Sequence, residues 1–187
     1  MKKLLCIILA IAMMVCFTAC GKETPEKAAD NALKAVKSLN IVKMEKYFDE
    51  ALVDDMDLDD VSVEELKIVK KFLSKTSWEI LGSVVDGDDA TVTVEITTID
   101  PSPIFTEVVA QMLGDSLSSL LGSSKDDEEE MKKKALDIID EMISSKDVQM
   151  KTDTIELDMT LTEMGWKIEV KASVIGSFVG SLEDLLS

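Results

Sequence analysis

The segment 148–162 alternates: Ile155, Leu157, Met159 and Leu161 fall on one side, and Glu156, Asp158, Thr160 and Thr162 on the other. Successive side chains of an extended chain point to opposite faces, so this pattern fits a strand with one face in a core and the other in water. Wound as a helix, the same residues would scatter their apolar groups around the axis. Glu163-Met164-Gly165 then turns the chain into 166–170, which alternates again. A similar pair lies upstream. Residues 78–85 read as a strand, Asp86-Gly87-Asp88 as a hairpin turn, and 90–99 as the returning strand, with Val92, Val94 and Ile96 opposed to Thr91, Thr93, Glu95 and Thr97.

Helical spacing occupies the rest of the chain. Thr24 is placed to cap a helix that has Pro25 in its first turn, where a missing N–H costs nothing. That helix carries Ala28, Ala29, Ala32, Leu33, Val36 and Leu39 on one face. A break at Ser38-Leu39-Asn40 leads to a short second helix with Val42, Tyr47, Phe48 and Leu52. Ser62 with Glu65 forms a capping box for a third helix bearing Leu66, Val69, Phe72 and Leu73. Pro101-Ser102-Pro103 ends a strand and starts a helix from Ile104 to about Leu121, Gly122-Ser123-Ser124 breaks it, and 126–144 forms another. The acidic start of that last helix, Asp126 to Glu130, suits a helix N-terminus. A final amphipathic segment carries Val174, Ile175, Phe178, Val179, Leu182, Leu185 and Leu186, with Gly176 and Gly180 four apart. Helices grouped around antiparallel hairpins predict an α+β class. N-terminal helices should pack on a twisted four-stranded antiparallel sheet, in a cone-like arrangement, with a helical insertion at 103–145.

The first residues have a different purpose. Lys2 and Lys3 precede fourteen uncharged residues, Leu4 to Phe17, a run shorter than the roughly 20 needed to cross a bilayer core. Phe17-Thr18-Ala19-Cys20 follows. This resembles the lipobox of bacterial lipoproteins, in which the cysteine thiol receives diacylglyceryl before cleavage on its N-terminal side; Phe17 stands where leucine is usual. The expected organisation is a signal peptide at 1–19, a lipidated tether at 20–23 and a single domain at 24–187. Cys6 and Cys16 leave with the signal, so Cys20 is the one mature cysteine, and acylation accounts for an otherwise leftover thiol. The tether of Gly21, Lys22 and Glu23 reaches only about 10 Å. The expected location is the outer, extracytoplasmic face of the cell membrane.

Charge and residue types then exclude function classes. Loss of Lys2 and Lys3 leaves 18 lysines against 37 acidic residues, a mature net charge of −19, with no arginine and no histidine. Such a chain is repelled by nucleic acid and by anionic headgroups, so no nucleic-acid partner is expected and the membrane is reached through lipid on Cys20. The lack of histidine removes the commonest general base, the usual transition-metal ligand and the Ser-His and Cys-His nucleophile pairs. No catalytic residue, metal or cofactor is therefore assigned. Asp54 to Asp60 imitates a calcium loop, but an EF-hand starting at Asp55 needs glycine where Asp60 stands and glutamate where Leu66 stands. A solvated acidic loop is the better reading.

Thr24-Pro25-Glu26-Lys27-Ala28, the break at Ser38-Leu39-Asn40, Met44-Glu45-Lys46-Tyr47-Phe48 and the strand Gly165-Trp166-Lys167-Ile168 resemble nuclear transport factor 2-like lipoproteins of Gram-positive bacteria. The resemblance implies a cystatin-like α+β fold in a Gram-positive cell and leaves activity open, because that superfamily holds isomerases, dehydratases and pure binding modules. Tyr47, Trp78 and Trp166 are the candidate ligand-binding residues, as walls of an apolar concavity, and Met112, Met131, Met142, Met150, Met159 and Met164 suit an adaptable interior. The leading expectation is a non-catalytic binding or accessory domain for an apolar small ligand or an envelope protein. The alternatives are an isomerase- or hydratase-like enzyme using carboxylates and Tyr47, and a purely structural envelope protein. Core or rim positions are the default for Tyr47 beside Phe48 and for the two tryptophans at strand starts, and the last amphipathic segment is expected to dock on the sheet, with a partner or dimer surface as the alternative.

Overall fold

The computed structural model describes residues 23–48, 61–121 and 128–169. The signal segment with Cys20, the acidic loop 54–60, the break at 122–124, the first residues of the 126–130 acidic run and the final amphipathic segment lie outside the described residues. Among those described, the order is α1 (Pro25–Lys37), α2 (Ile41–Tyr47), α3 (Val63–Lys75), β1 (Ser77–Asp86), β2 (Asp89–Ile99), α4 (Pro101–Leu121), α5 (Glu128–Ser144), β3 (Met150–Thr162) and β4 (Gly165–Ile168). The strands form one antiparallel sheet in the order β1-β2-β3-β4. The α+β class and the helical insertion between the hairpins are both present.

Local chemistry explains where these elements start and stop. Thr24 Oγ1 accepts from the Lys27 amide at 3.3 Å, with Pro25 opening α1. The helix ends in a Schellman pair, Asn40 N–H to Ala35 O at 3.0 Å and Leu39 N–H to Val36 O at 2.9 Å. Leu39 takes the left-handed position with φ 48, where glycine is usual. Asn40 then caps α2 through Lys43 N–H at 3.0 Å. The capping box of α3 is complete: Glu65 N–H reaches Ser62 Oγ at 3.3 Å and Ser62 N–H reaches Glu65 Oε2 at 2.8 Å. Helix α4 begins at Pro101, three residues earlier than expected, because Asp100 accepts from Ser102 N–H at 3.0 Å and Pro101 needs no acceptor.

Register places the apolar residues. Val92 pairs with Leu157, Val94 with Ile155 and Ala90 with Met159, so all of them share one face. The Asp86/Asp89 pair closes over Gly87 at φ 64, the glycine-first geometry of a tight hairpin turn. The β3–β4 hairpin closes at Thr162/Gly165, and Gly165 takes φ 121. Leu81 has no partner between Ile80 and Gly82, a bulge in the edge strand. The opposite sheet face is polar, with Thr91 bonded to Asp158 (3.0 Å) and Thr97 to Thr152 (2.8 Å).

Two apolar clusters result. In the first, Ala28, Ala29, Ala32, Leu33 and Ala35 of α1, with Met44, Tyr47 and Phe48, pack on Val92, Val94, Ile96, Ile155, Leu157, Met159, Trp166 and Ile168. The second joins Ile99, Ile104 and Ile143, with Ile68 and Phe72 of α3, at the far end of the sheet. Val42 and Val69 are exposed, while Met44, Tyr47 and Leu73 face inward from the same helices. The interior is less rich in methionine than expected. Met159 is buried, whereas Met150 lies on the outward parity of β3 and Met164 sits in a turn, both exposed.

The capping box gives a pH-dependent stability. The Ser62 hydrogen bonds and then Lys132 pull the Glu65 carboxyl from 4.5 down to about 2. A carboxyl lowered by folding stabilises fully above its ordinary value and loses that contribution as pH falls toward the folded value. The stability difference between wild type and Glu65→Gln, read from urea unfolding, should be largest above about pH 5 and shrink as pH falls from 4.5 to about 2.

Candidate functional site: a polar cluster at the root of the tether

Glu23 lies three residues after Cys20 and one before the α1 cap. Its backbone carbonyl accepts from Trp166 Nε1 at 3.1 Å. Its carboxylate accepts from Asn31 Nδ2, from Lys46 Nζ at 3.2 Å, and from Tyr47 Oη, which stands 3.3 Å from both oxygens. Lys46 Nζ also donates to Tyr47 Oη at 2.9 Å and sits 4.5 Å from the centre of the Tyr47 ring. The hydrogen bond to Tyr47, joined by Glu23, holds the Lys46 ammonium above its usual value against partial desolvation. Three elements converge on this one residue: α1 and the end of α2 on its side chain, and β4 on its backbone carbonyl.

The end of α2 is fixed to the sheet by the same neighbourhood. Phe48 forms a parallel bridge with Ile168, and Lys167 Nζ donates to the Glu45 and Phe48 carbonyls, both at 3.0 Å. A lysine at a helix C-terminus satisfies carbonyls that have no partner inside the helix. It also covers the edge of β4, a strand of only 4 residues.

Of the three candidate ligand-binding residues, two come together and one does not. Tyr47 and Trp166 are both buried and both hold Glu23. Trp78 stands elsewhere on the first cluster, its Nε1 donating to Asp30 Oδ1 at 3.0 Å and Lys37 Nζ 5.8 Å from its ring centre. Partial burial pushes the Asp30 carboxyl up, but the bonds from Lys34 and Trp78 outweigh it and the net direction is down. Both indole N–H groups and the phenol are thus engaged within the chain. Among the described residues, no group of three or more His, Cys, Asp or Glu side chains is placed to hold a metal ion.

Asn31, Lys46 and Glu23 were not singled out by the sequence. Glu23 reads there as a tether residue, and nothing in its neighbours announces a partner as distant as Trp166, 143 positions away. The one usable signal is spacing: Asn31 lies eight residues after Glu23, on the α1 face beside Ala28 and Ala32.

Removing the carboxylate should expose the value of the cluster. Glu23→Ala is expected to lower the stability of the domain by about 1 kcal/mol, because the bonds from Asn31 and Tyr47 are part-buried while that from Lys46 is exposed. Combined with Tyr47→Phe in a double-mutant cycle, the coupling should be at least about 0.5 kcal/mol. Additive effects in urea unfolding would mean that the Glu23–Tyr47 contact contributes nothing.

Similarity to known proteins supplies a family. No curated protein matches the chain. A solved structure, that of the candidate lipoprotein YcdA from Bacillus subtilis subsp. subtilis strain 168, is similar at 16% identity and a TM-score of 0.44. The match covers 84% of this chain and 46% of that protein, so the chain spans a little under half of its length. Residues 19–181 match the family described as a domain of unknown function, DUF5105. That span includes both hairpins, the helical insertion and the tether root, and the chain belongs to this family.

Proposed function

We propose that the protein is a lipid-anchored extracytoplasmic domain, held on the outer face of the membrane through Cys20 and acting by binding an envelope protein. The observation that carries this reading is the junction of anchor and domain. Thr18-Ala19-Cys20 has the form of a lipobox, and the chain is engaged by Trp166, Tyr47, Lys46 and Asn31 only three residues later. No helix among the described residues is long and apolar enough to cross a membrane, and a diacylglyceryl group supplies the two chains that stable anchoring requires. Helices laid on one face of an antiparallel sheet are compatible with the nuclear transport factor 2-like resemblance, and with it a Gram-positive cell.

An envelope partner fits better than a small apolar ligand. The face that would form the concavity is occupied by the alanine side of α1, with Ala28, Ala29, Ala32 and Ala35 fully buried against it. Large apolar side chains face outward instead on α4, where Phe105, Val109 and Leu113 are 45%, 36% and 59% exposed.

The anchor is tested by metabolic labelling with palmitate and membrane fractionation. Wild type should carry label and sediment with membranes, whereas Cys20→Ala should lose the label to background. An unlabelled wild type, or a variant that keeps its label, refutes the anchor. Cross-linking in intact cells then identifies the partner.

One observation favours a second reading. Glu23 and Lys46 bring two ionisable groups to the Tyr47 hydroxyl, the residue types that an acid–base isomerase or hydratase would use. On this reading, turnover of a screened substrate should fall about 10²–10⁴-fold in Tyr47→Phe. On the binding reading, that variant loses only stability.

A further inference from the structure

The polarity of the sheet and the position of Glu23 together give the domain an up and a down. Helix α1 runs antiparallel to β1: Glu26 bonds Ser83, Asp30 bonds Trp78, and Lys37 reaches the Thr76 carbonyl at 2.7 Å. Its N-terminus is therefore at the hairpin end of the sheet. Trp166, which holds the Glu23 carbonyl, pairs with Leu161 next to the β3–β4 turn at the same end. The two hairpin tips, Gly87-Asp88 and Glu163-Met164, are found here too. The second cluster, around Ile99, Ile104 and Ile143, lies at the other end, where α3, α4 and α5 meet. Strand β2 connects the two ends with 11 residues, or about 35 Å at 3.3 Å per residue.

We infer that the hairpin-tip end faces the outer leaflet and that the cluster of Ile99, Ile104 and Ile143 lies away from it, so that the start of α4, with the exposed Phe105, stands beyond the reach of the lipid that holds the anchor. The inference rests on the lipid-anchor reading. Its physical basis is a comparison of lengths. Three residues from Cys20 to the pinned Glu23 can reach at most about 10 Å, roughly a third of the distance to the far cluster. Charge adds to the effect. The tips carry Asp86, Asp88, Asp89 and Glu163, which an anionic surface repels over about 8–10 Å at physiological salt. Tether length and screening length match, so the tips hover close to the headgroups and the domain is not drawn down onto its side.

The mature chain has no thiol besides the acylated Cys20, so single added cysteines can be labelled cleanly. Met164, 68% exposed in the β3–β4 turn, and Phe105, 45% exposed beside Ile104 of the second cluster, mark the two ends. Lipidated Met164→Cys and Phe105→Cys proteins, each carrying a fluorophore, are placed on phosphatidylethanolamine–phosphatidylglycerol vesicles containing headgroup spin-labelled lipid. Quenching at position 164 should exceed that at 105 by at least about fivefold. Ten Gly/Ser residues inserted between Gly21 and Lys22 should bring the ratio toward one without detaching the protein. Equal quenching with the natural tether, in protein that floats with the vesicles, overturns the orientation alone. Protein that carries no lipid and does not float overturns the anchor, and the orientation with it.

Discussion

The alanine face of α1 is the contact on which the rest of the structure depends. Ala28, Ala29, Ala32 and Ala35 are fully buried, and their small side chains let the helix pack on the face of the sheet that carries Val92 and Val94 of β2. Larger residues there would overpack the core, at about 1–3 kcal/mol each. Close approach also brings polar residues on the flanks of α1 within reach of the sheet: Glu26 to Ser83, Asp30 to Trp78, Lys37 to the Thr76 carbonyl. It further carries Glu23, at the head of the helix, to Trp166 and Tyr47.

A sheet with one apolar face can offer that face to a ligand or cover it with its own helices, and here residues of α1 and α2 pack on it. Tyr47 and Trp166, whose chemistry suits a ligand wall, instead hold the lead-in to α1. Among the exposed large apolar side chains, Phe105, Val109 and Leu113 share α4, a helix whose charges between 101 and 121 are Glu107 and Asp115.

Much of this was legible in advance, for reasons that differ from element to element. The hairpins were readable because a strand with one wet face must alternate, and 90–99 and 155–162 do so without exception among their central residues. The Ser62–Glu65 box and the Thr24-Pro25 start were readable because caps are local, with partners three residues away. The inward faces of α2 and α3 were not legible: Val42 and Val69 are exposed while Met44, Tyr47 and Leu73 point inward, a choice made by packing against distant segments. Met150 and Met164 were misassigned because residue type says little about burial at a strand end or in a turn.

The residues around the anchor divide along the same line. A charged start, an apolar run, a small-small-cysteine ending and the lack of any other mature thiol are properties of consecutive residues, so the sequence by itself determined where attachment is expected and that the sheet is antiparallel with one polar face. It could not determine that Glu23 would meet Asn31, Lys46, Tyr47 and Trp166, because those contacts span up to 143 positions and exist only once α1 is seated on the sheet. Nor could it place the head of α1 at the hairpin tips. The direction in which α1 crosses the sheet is set by side-chain packing between distant segments, and only the tertiary structure decided it.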